Sequence, residues 1–187
     1  MSRWQPNARG RLEEAALDLY ATRGFDATTV VQIAERAGLT ERTFFRHFAD
    51  KREVLFSGQS ALTESMVAAV AGMPAGTAPL DAVGAGLRAA GEMIGGRLDS
   101  ARRRQAVIDA DPGLRERELS KLATLGAALT AALRGRGVPE PAARLSAEAG
   151  IAIFKVGFER WIGTGDGELT EVLAAALGEL KALTISG

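Results

Sequence analysis

Between Thr29 and Phe48 the chain reads TVVQIAERAGLTERTFFRHF, and no other stretch limits what it can fold into so tightly. Val30, Ile33, Ala34 and Ala37 recur at helical spacing and make one apolar stripe. Thr29, with Gln32 three residues on, forms a capping box, which predicts a helix from about Val30 to Ala37. Gly38 ends it, because glycine enters the left-handed conformation after a helix without steric cost. Leu39 fills the corner, Thr40 is the next N-cap, and a second helix runs to about His47 with Phe44 and Phe48 turned inward. Glu41, Arg42, Thr43, Phe45, Arg46 and His47 then point elsewhere. A short helix carrying cationic, hydroxyl and aromatic groups suits the major groove, where base edges and phosphates offer acceptors. Periodicity alone fits a helical hairpin with no DNA role equally well.

The segments ATRGFDATTV, IAERAGLTERTFFRHF and DKREVLF, in that order, resemble the DNA-binding domain of the TetR/AcrR family of bacterial transcriptional regulators. The resemblance is close as far as Phe56 and one of architecture beyond it. It implies that Thr29, Thr40, Arg42, Thr43, Phe45, Arg46, His47 and Lys51 lie near DNA, with Lys51 opening the next helix. Three positions mark this chain out. Phe45 stands where the family usually has Tyr and loses a hydroxyl that can reach a phosphate. Arg42, where Gly is frequent, adds a donor for a guanine edge or a phosphate. Glu41 either accepts from a cytosine amino group or complements the helix N-terminus, the second role being favoured.

Charge does not advertise this partner. The whole chain is formally neutral, and up to Phe56 nine Arg and Lys face eight Asp and Glu. A positive surface must come from arrangement, with Arg3, Arg9, Arg11, Arg42, Arg46 and Lys51 on one side. With no cysteine, disulfides, thiolate metal sites and a Cys nucleophile are excluded. MSRWQPNARGRLEE lacks the apolar run of a signal peptide, and no run of about 18 uncharged apolar residues suggests a membrane span, so a cytoplasmic protein is expected.

Residues 1–6 are expected to form an arm in which Arg3 and Trp4 either fray or reach a phosphate. A first helix, about Ala8 to Arg23, presents Leu12, Ala15, Ala16, Leu19 and Tyr20 on one face and closes a three-helix core against Ile33, Phe44 and Phe48. Asp50 and Glu53 make a capping pair for one long helix from about Lys51 to Gly72 or Met73. PAGTAP, residues 74–79, is the clearest breaker. Five more helices follow: Leu80 to Gly95, Asp99 to Ala110, Pro112 to Arg134, Glu140 to Ile162 and Glu168 to Leu183. The expected fold is all-α, with a helix-turn-helix domain over residues 1–50 and a larger ligand-binding and dimerisation domain over 51–187. Arg102, Arg103 and Arg104 read as a solvated face partly paired with Asp99, Asp109 or Glu116.

Enzymatic signatures are missing: there is one His, no phosphate-cradling Gly-rich motif and no nucleophile elbow, so no metal or cofactor is expected. Met66, Met93, Ile108, Leu122, Leu125, Phe154, Phe158 and Trp161 either fill the core or line a cavity of about 300–1,000 Å³ for a small effector. The resemblance favours some cavity, and sparse polar groups favour a largely apolar ligand. Ile151, Phe154, Phe158 and Trp161 make one stripe and Leu145, Ala149, Ala152 and Val156 another, so this helix is apolar on too many sides for burial within one subunit. Leu169, Leu173, Leu177 and Leu180, with Ala176, supply a matching seam for the four-helix dimer interface that the resemblance implies. The sum is a dimeric repressor on double-stranded operator DNA, released by a small molecule. The alternatives are an activator, or a ligand-binding or enzymatic helical protein that has lost DNA binding.

Overall fold

The computed structural model describes residues 7–185, with side chains to residue 183. Arg3 and Trp4 lie outside the described residues. Nine α-helices and one 3-10 turn make up the described chain: α1 (Ala8–Arg23), α2 (Val30–Arg36), α3 (Glu41–His47), the turn Glu53–Phe56, α4 (Gln59–Ala71), α5 (Pro79–Ile94), α6 (Leu98–Ala110), α7 (Pro112–Gly135), α8 (Ala142–Thr164) and α9 (Leu169–Ile185). No strand occurs among the described residues. The helices form two compact units: one runs to Ser57 and takes in Asp99–Glu118, the other holds Gly58–Leu98 and the chain from Leu119 on.

In the first unit local sequence sets the ends of the helices. Asn7 caps α1 by accepting from Gly10 N at 2.8 Å. Thr29 and Gln32 close both arms of the expected capping box, and Thr40 caps α3. Gly38 takes a φ of 63°, and its N–H reaches Glu35 O at 2.9 Å. The core holds the expected Leu12, Ala16, Leu19, Ile33, Phe44 and Phe48. It also holds Val54, Leu55 and Phe56 from the 3-10 turn, and Val107, Ile108 and Leu114 from α6 and α7. The unit is thus wider than the head expected over residues 1–50.

The single long helix expected from Lys51 is two elements, the 3-10 turn and α4, separated at Ser57 and Gly58. Asp50 does cap this start, accepting from Arg52 N at 2.8 Å and Glu53 N at 3.0 Å. The Glu53 carboxylate binds Arg117, whose Nε lies at 2.9 Å. The stretch Glu53–Ala71 is long and apolar enough by composition to cross a membrane, but it is divided by that break and carries an exposed Glu64.

The second unit is built around α5, which packs on α4, α8 and α9, while α8 also packs on α9. Small residues set these distances. A Cβ at Gly91 would come within 2.7 Å of Thr170 Cα, and one at Gly157 within 2.7 Å of a Leu173 methyl. Pro79 occupies the first turn of α5, where its missing N–H costs nothing. Arg136 closes the end of α4 by donating to Ala71 O, Met73 O and Pro74 O. The boundaries of α5 to α9 fall within two residues of those read from the sequence.

Candidate nucleic-acid interface

Helix α3 exists because Thr40 caps it and because Phe44 and Phe48 anchor one side, at 0% and 3% exposure. That anchoring turns Glu41, Arg42, Phe45 and Arg46 to the surface. Phe45 is 52% exposed, its ring edge-on to Phe44 at 5.5 Å. Arg42 and Arg46 have no hydrogen bond or ion pair among the described residues and remain available as donors. Thr43 N donates to Thr40 Oγ1 at 3.2 Å, and the two hydroxyls share a bond of 3.0 Å. Thr29, exposed at the start of α2, accepts from Gln32 N, leaving its hydroxyl hydrogen free to donate outward. Its neighbour Val31 is 45% exposed, an apolar group that the sequence reading did not single out.

Two expected contacts are placed differently. His47 is half-buried against Phe48, and its Nε2 is enclosed with no hydrogen-bond partner among the described residues. Lys51 does not open a helix. Its Nζ lies 2.8 Å from Phe25 O, 3.2 Å from Asp26 O and 2.9 Å from Thr28 O, inside the head.

Two of the arginines expected on the positive side are engaged within the head. Arg9 donates to Ser57 O at 2.7 Å and lies 5.4 Å from the Phe48 ring centre, and Arg11 donates to Ala37 O. Of the basic run of α6, Arg102 is exposed as expected, while Arg103 and Arg104 are partly buried against partners other than Asp99, Asp109 or Glu116. Arg103 pairs with Asp18 at 2.7 Å, and Arg104 donates to Leu55 O at 2.7 Å and to Glu118 at 3.1 Å. Burial draws the Arg104 guanidinium below its ordinary value, while Glu118 acts against that shift. These partners are 14 to 85 residues away in sequence, so no local pattern announces them.

Seven of the eight residues expected around a ligand belong to the second unit; Ile108 does not. It is 0% exposed in the core of the first unit, because α6 packs there, and it cannot line a cavity in the second. Met66 and Leu125 are fully buried and Leu122 half-buried, whereas Met93 is exposed on α5. Phe154, Phe158 and Trp161 form a ladder along α8, with successive ring centres 5.8 and 5.9 Å apart. A depression of about 430 Å³ lies in the first unit, lined chiefly by the charged Arg11, Glu14, Asp18, Glu35 and Arg36, unlike the apolar chamber expected in the body.

The outer stripe of α8 is as expected, with Leu145 66% and Val156 60% exposed. The seam on α9 is only partly so, with Ala176, Leu177 and Leu180 half-buried. Leu169 and Leu173 are 0% exposed inside the second unit, and α9 turns Ala174, Ala175, Gly178 and Ala182 outward.

Residues 12–57 match the family profile of bacterial regulatory proteins of the tetR family, and residues 77–184, more than half of the chain, match that of the MftR C-terminal domain. The chain belongs to the TetR family. Within it, the HTH-type transcriptional regulator TcmR of Streptomyces glaucescens is 41% identical over 114 residues. That match covers 57% of this chain and 50% of TcmR, so the chain spans about half the length of that relative. Two solved TetR-like structures share the fold. The SmeT–triclosan complex, SmeT being from Stenotrophomonas maltophilia, is 17% identical with a TM-score of 0.67, covering 94% of this chain and 90% of that one. FadR of Bacillus subtilis with stearoyl-CoA is 16% identical with a TM-score of 0.63, covering 90% and 95%. The tetR-type match ends at residue 57, where the first unit leaves the N-terminal segment.

Proposed function

We propose that this TetR-family chain is a cytoplasmic, homodimeric repressor that reads operator DNA with α3 and leaves it on binding a small, largely apolar effector. The observation that carries the reading is the outer face of α3, where Arg42 and Arg46 stand unpaired among the described residues beside an exposed Phe45, on a helix capped at Thr40. Two guanidiniums offer forked donors to guanine or phosphate, and the Phe45 ring offers apolar contact to a thymine methyl. Thr29, Thr40 and Thr43 supply hydroxyls around them, with His47 and Lys51 serving the head from inside. The exposed α8 stripe of Leu145, Ala152 and Val156 supports pairing with a second copy. Two α3 helices would then meet successive major grooves about 34 Å apart, or a modest multiple of that.

Buried apolar residues on α4, α7 and α8 support an effector site in the second unit, and the complexes of SmeT with triclosan and FadR with stearoyl-CoA are consistent with ligands of that kind. Release requires the effector to bind the DNA-incompetent form more tightly, since only differential affinity moves the equilibrium. SmeT is a repressor, which supports that sign here. The test is retardation of the duplex upstream of the gene and of its neighbours. A specific shift, lost on adding an apolar effector, is expected; no specific shift on any of these duplexes contradicts the reading.

A further inference from the structure

Among the described residues, the large apolar side chains left exposed in the first unit are Val31 and Phe45, at 45% and 52%. A lone exposed valine on a protein surface needs no explanation by itself. The place of these two does. Val31 sits in the first turn of α2 and Phe45 midway along α3, so each helix of the helix-turn-helix carries one. The apolar residues that α2 gives to the core are Val30, Ile33 and Ala37, with Ala34 also buried, and Val31 falls outside that stripe. Its side chain neither fills the core nor favours the helix, because branching at Cβ loses rotamer freedom there. Two residues before it stands the exposed Thr29, the cap of α2.

We propose that Val31 is a specificity-determining residue: an apolar group on α2 that packs on the 5-methyl of a thymine in the major groove and so selects operators with T at one position of each half-site. The inference rests on the DNA-binding reading above. Phosphate contacts hold a protein on any sequence, and choice among sequences needs contact with base edges. The thymine methyl is the apolar feature of those edges in the major groove. A valine has no donor or acceptor in its side chain with which to read any other base. The guanidiniums of Arg42 and Arg46 suit guanine, so Val31 adds a kind of contact that they do not make.

The probe is a fluorescent duplex selected by the wild-type protein from a random-sequence pool. Each thymine of one half-site is replaced in turn by uracil, which deletes the methyl and keeps the base pair. Wild type and Val31→Ala are compared by affinity per active molecule, at salt low enough for both to bind. At one thymine, uracil is expected to weaken wild type about fourfold, the worth of one methyl group taken out of water, and to leave Val31→Ala unaffected. Val31→Ala should keep the wild-type dependence on salt, since no phosphate contact is lost. Alanine favours a helix, so this exposed substitution should fold. A selected duplex on which no uracil weakens wild type, or on which every such loss persists in Val31→Ala, overturns the proposal and leaves the DNA-binding reading standing. A shallower salt dependence in Val31→Ala also overturns it. If wild type selects no duplex, the DNA-binding reading fails and this inference falls with it.

Discussion

The two units are held together by different physics. In the first, directional bonds bridge distant segments: Lys51 to the loop after α1, Arg103 to Asp18, Arg104 to Leu55 O and Glu118, and Arg117 to Glu53. In the second, helices come together chiefly over small residues such as Gly91 and Gly157, with Arg136 bridging to the end of α4 and polar links such as Lys181 with Asp81 at the margin. A reading head must hold donors in fixed places, and directional bonds specify orientation. Under the proposed function, a body that takes an apolar effector would need apolar surroundings more than fixed angles, and apolar side chains supply them without directional demands.

The comparison breaks most visibly at the cores. Phe44→Ala removes a 0% exposed ring from the head and should cost about 3–5 kcal/mol, read by urea unfolding. In the body, Gly91→Ala drives a methyl against the Thr170 backbone, which cannot yield as a side-chain tip can, and should cost about 1–3 kcal/mol. A cost near zero there would show that α5 and α9 separate freely and that close approach does not hold the second unit.

Directional bonds give smaller, sharper effects. Tyr20→Phe keeps the ring and loses the buried bond to Lys51 O, for about 1 kcal/mol. The same phenol makes the head sensitive to alkali. Burial, then Asp50, raise its folded pKa, so the stability it contributes is complete below the unfolded value of about 10 and is lost as pH rises past it. Tyr20→Phe should flatten that alkaline limb in pH-dependent melting. At the small end, breaking the pair of Arg160 and Glu179, 59% and 70% exposed, should change stability by less than about 0.5 kcal/mol.

What the sequence disclosed divides along the same line. Caps and stops act within about four residues, so Thr29 with Gln32, Gly38, Thr40 and the ends of α5 to α9 were legible. The outward stripe on α8 was legible too, from its excess of apolar faces. The break at Ser57 and Gly58 was not, because apolar spacing from Leu55 to Val70 suits one helix as well as a turn followed by a helix. Nor was the inward turn of Leu169 and Leu173, which depends on what α9 meets. The place of Ile108 and the partners of Arg103 and Arg104 are not legible for the same reason: segments 99–118 and 1–57 join only in three dimensions. The resemblance implies Lys51 near DNA, and nothing local announces its three carbonyl partners, which lie more than twenty residues upstream.

At the centre of the proposed function stands the outer face of α3, two copies of which would read a two-fold operator. Hydroxyl-radical footprinting of wild type and the Arg42→Ala, Arg46→Ala double variant on a duplex selected by wild type tests this most directly. The account predicts two protected half-sites about one helical turn apart, or a modest multiple, with protection lost in the double variant at matched concentration. A single protected patch, or protection that survives loss of both arginines, would contradict it.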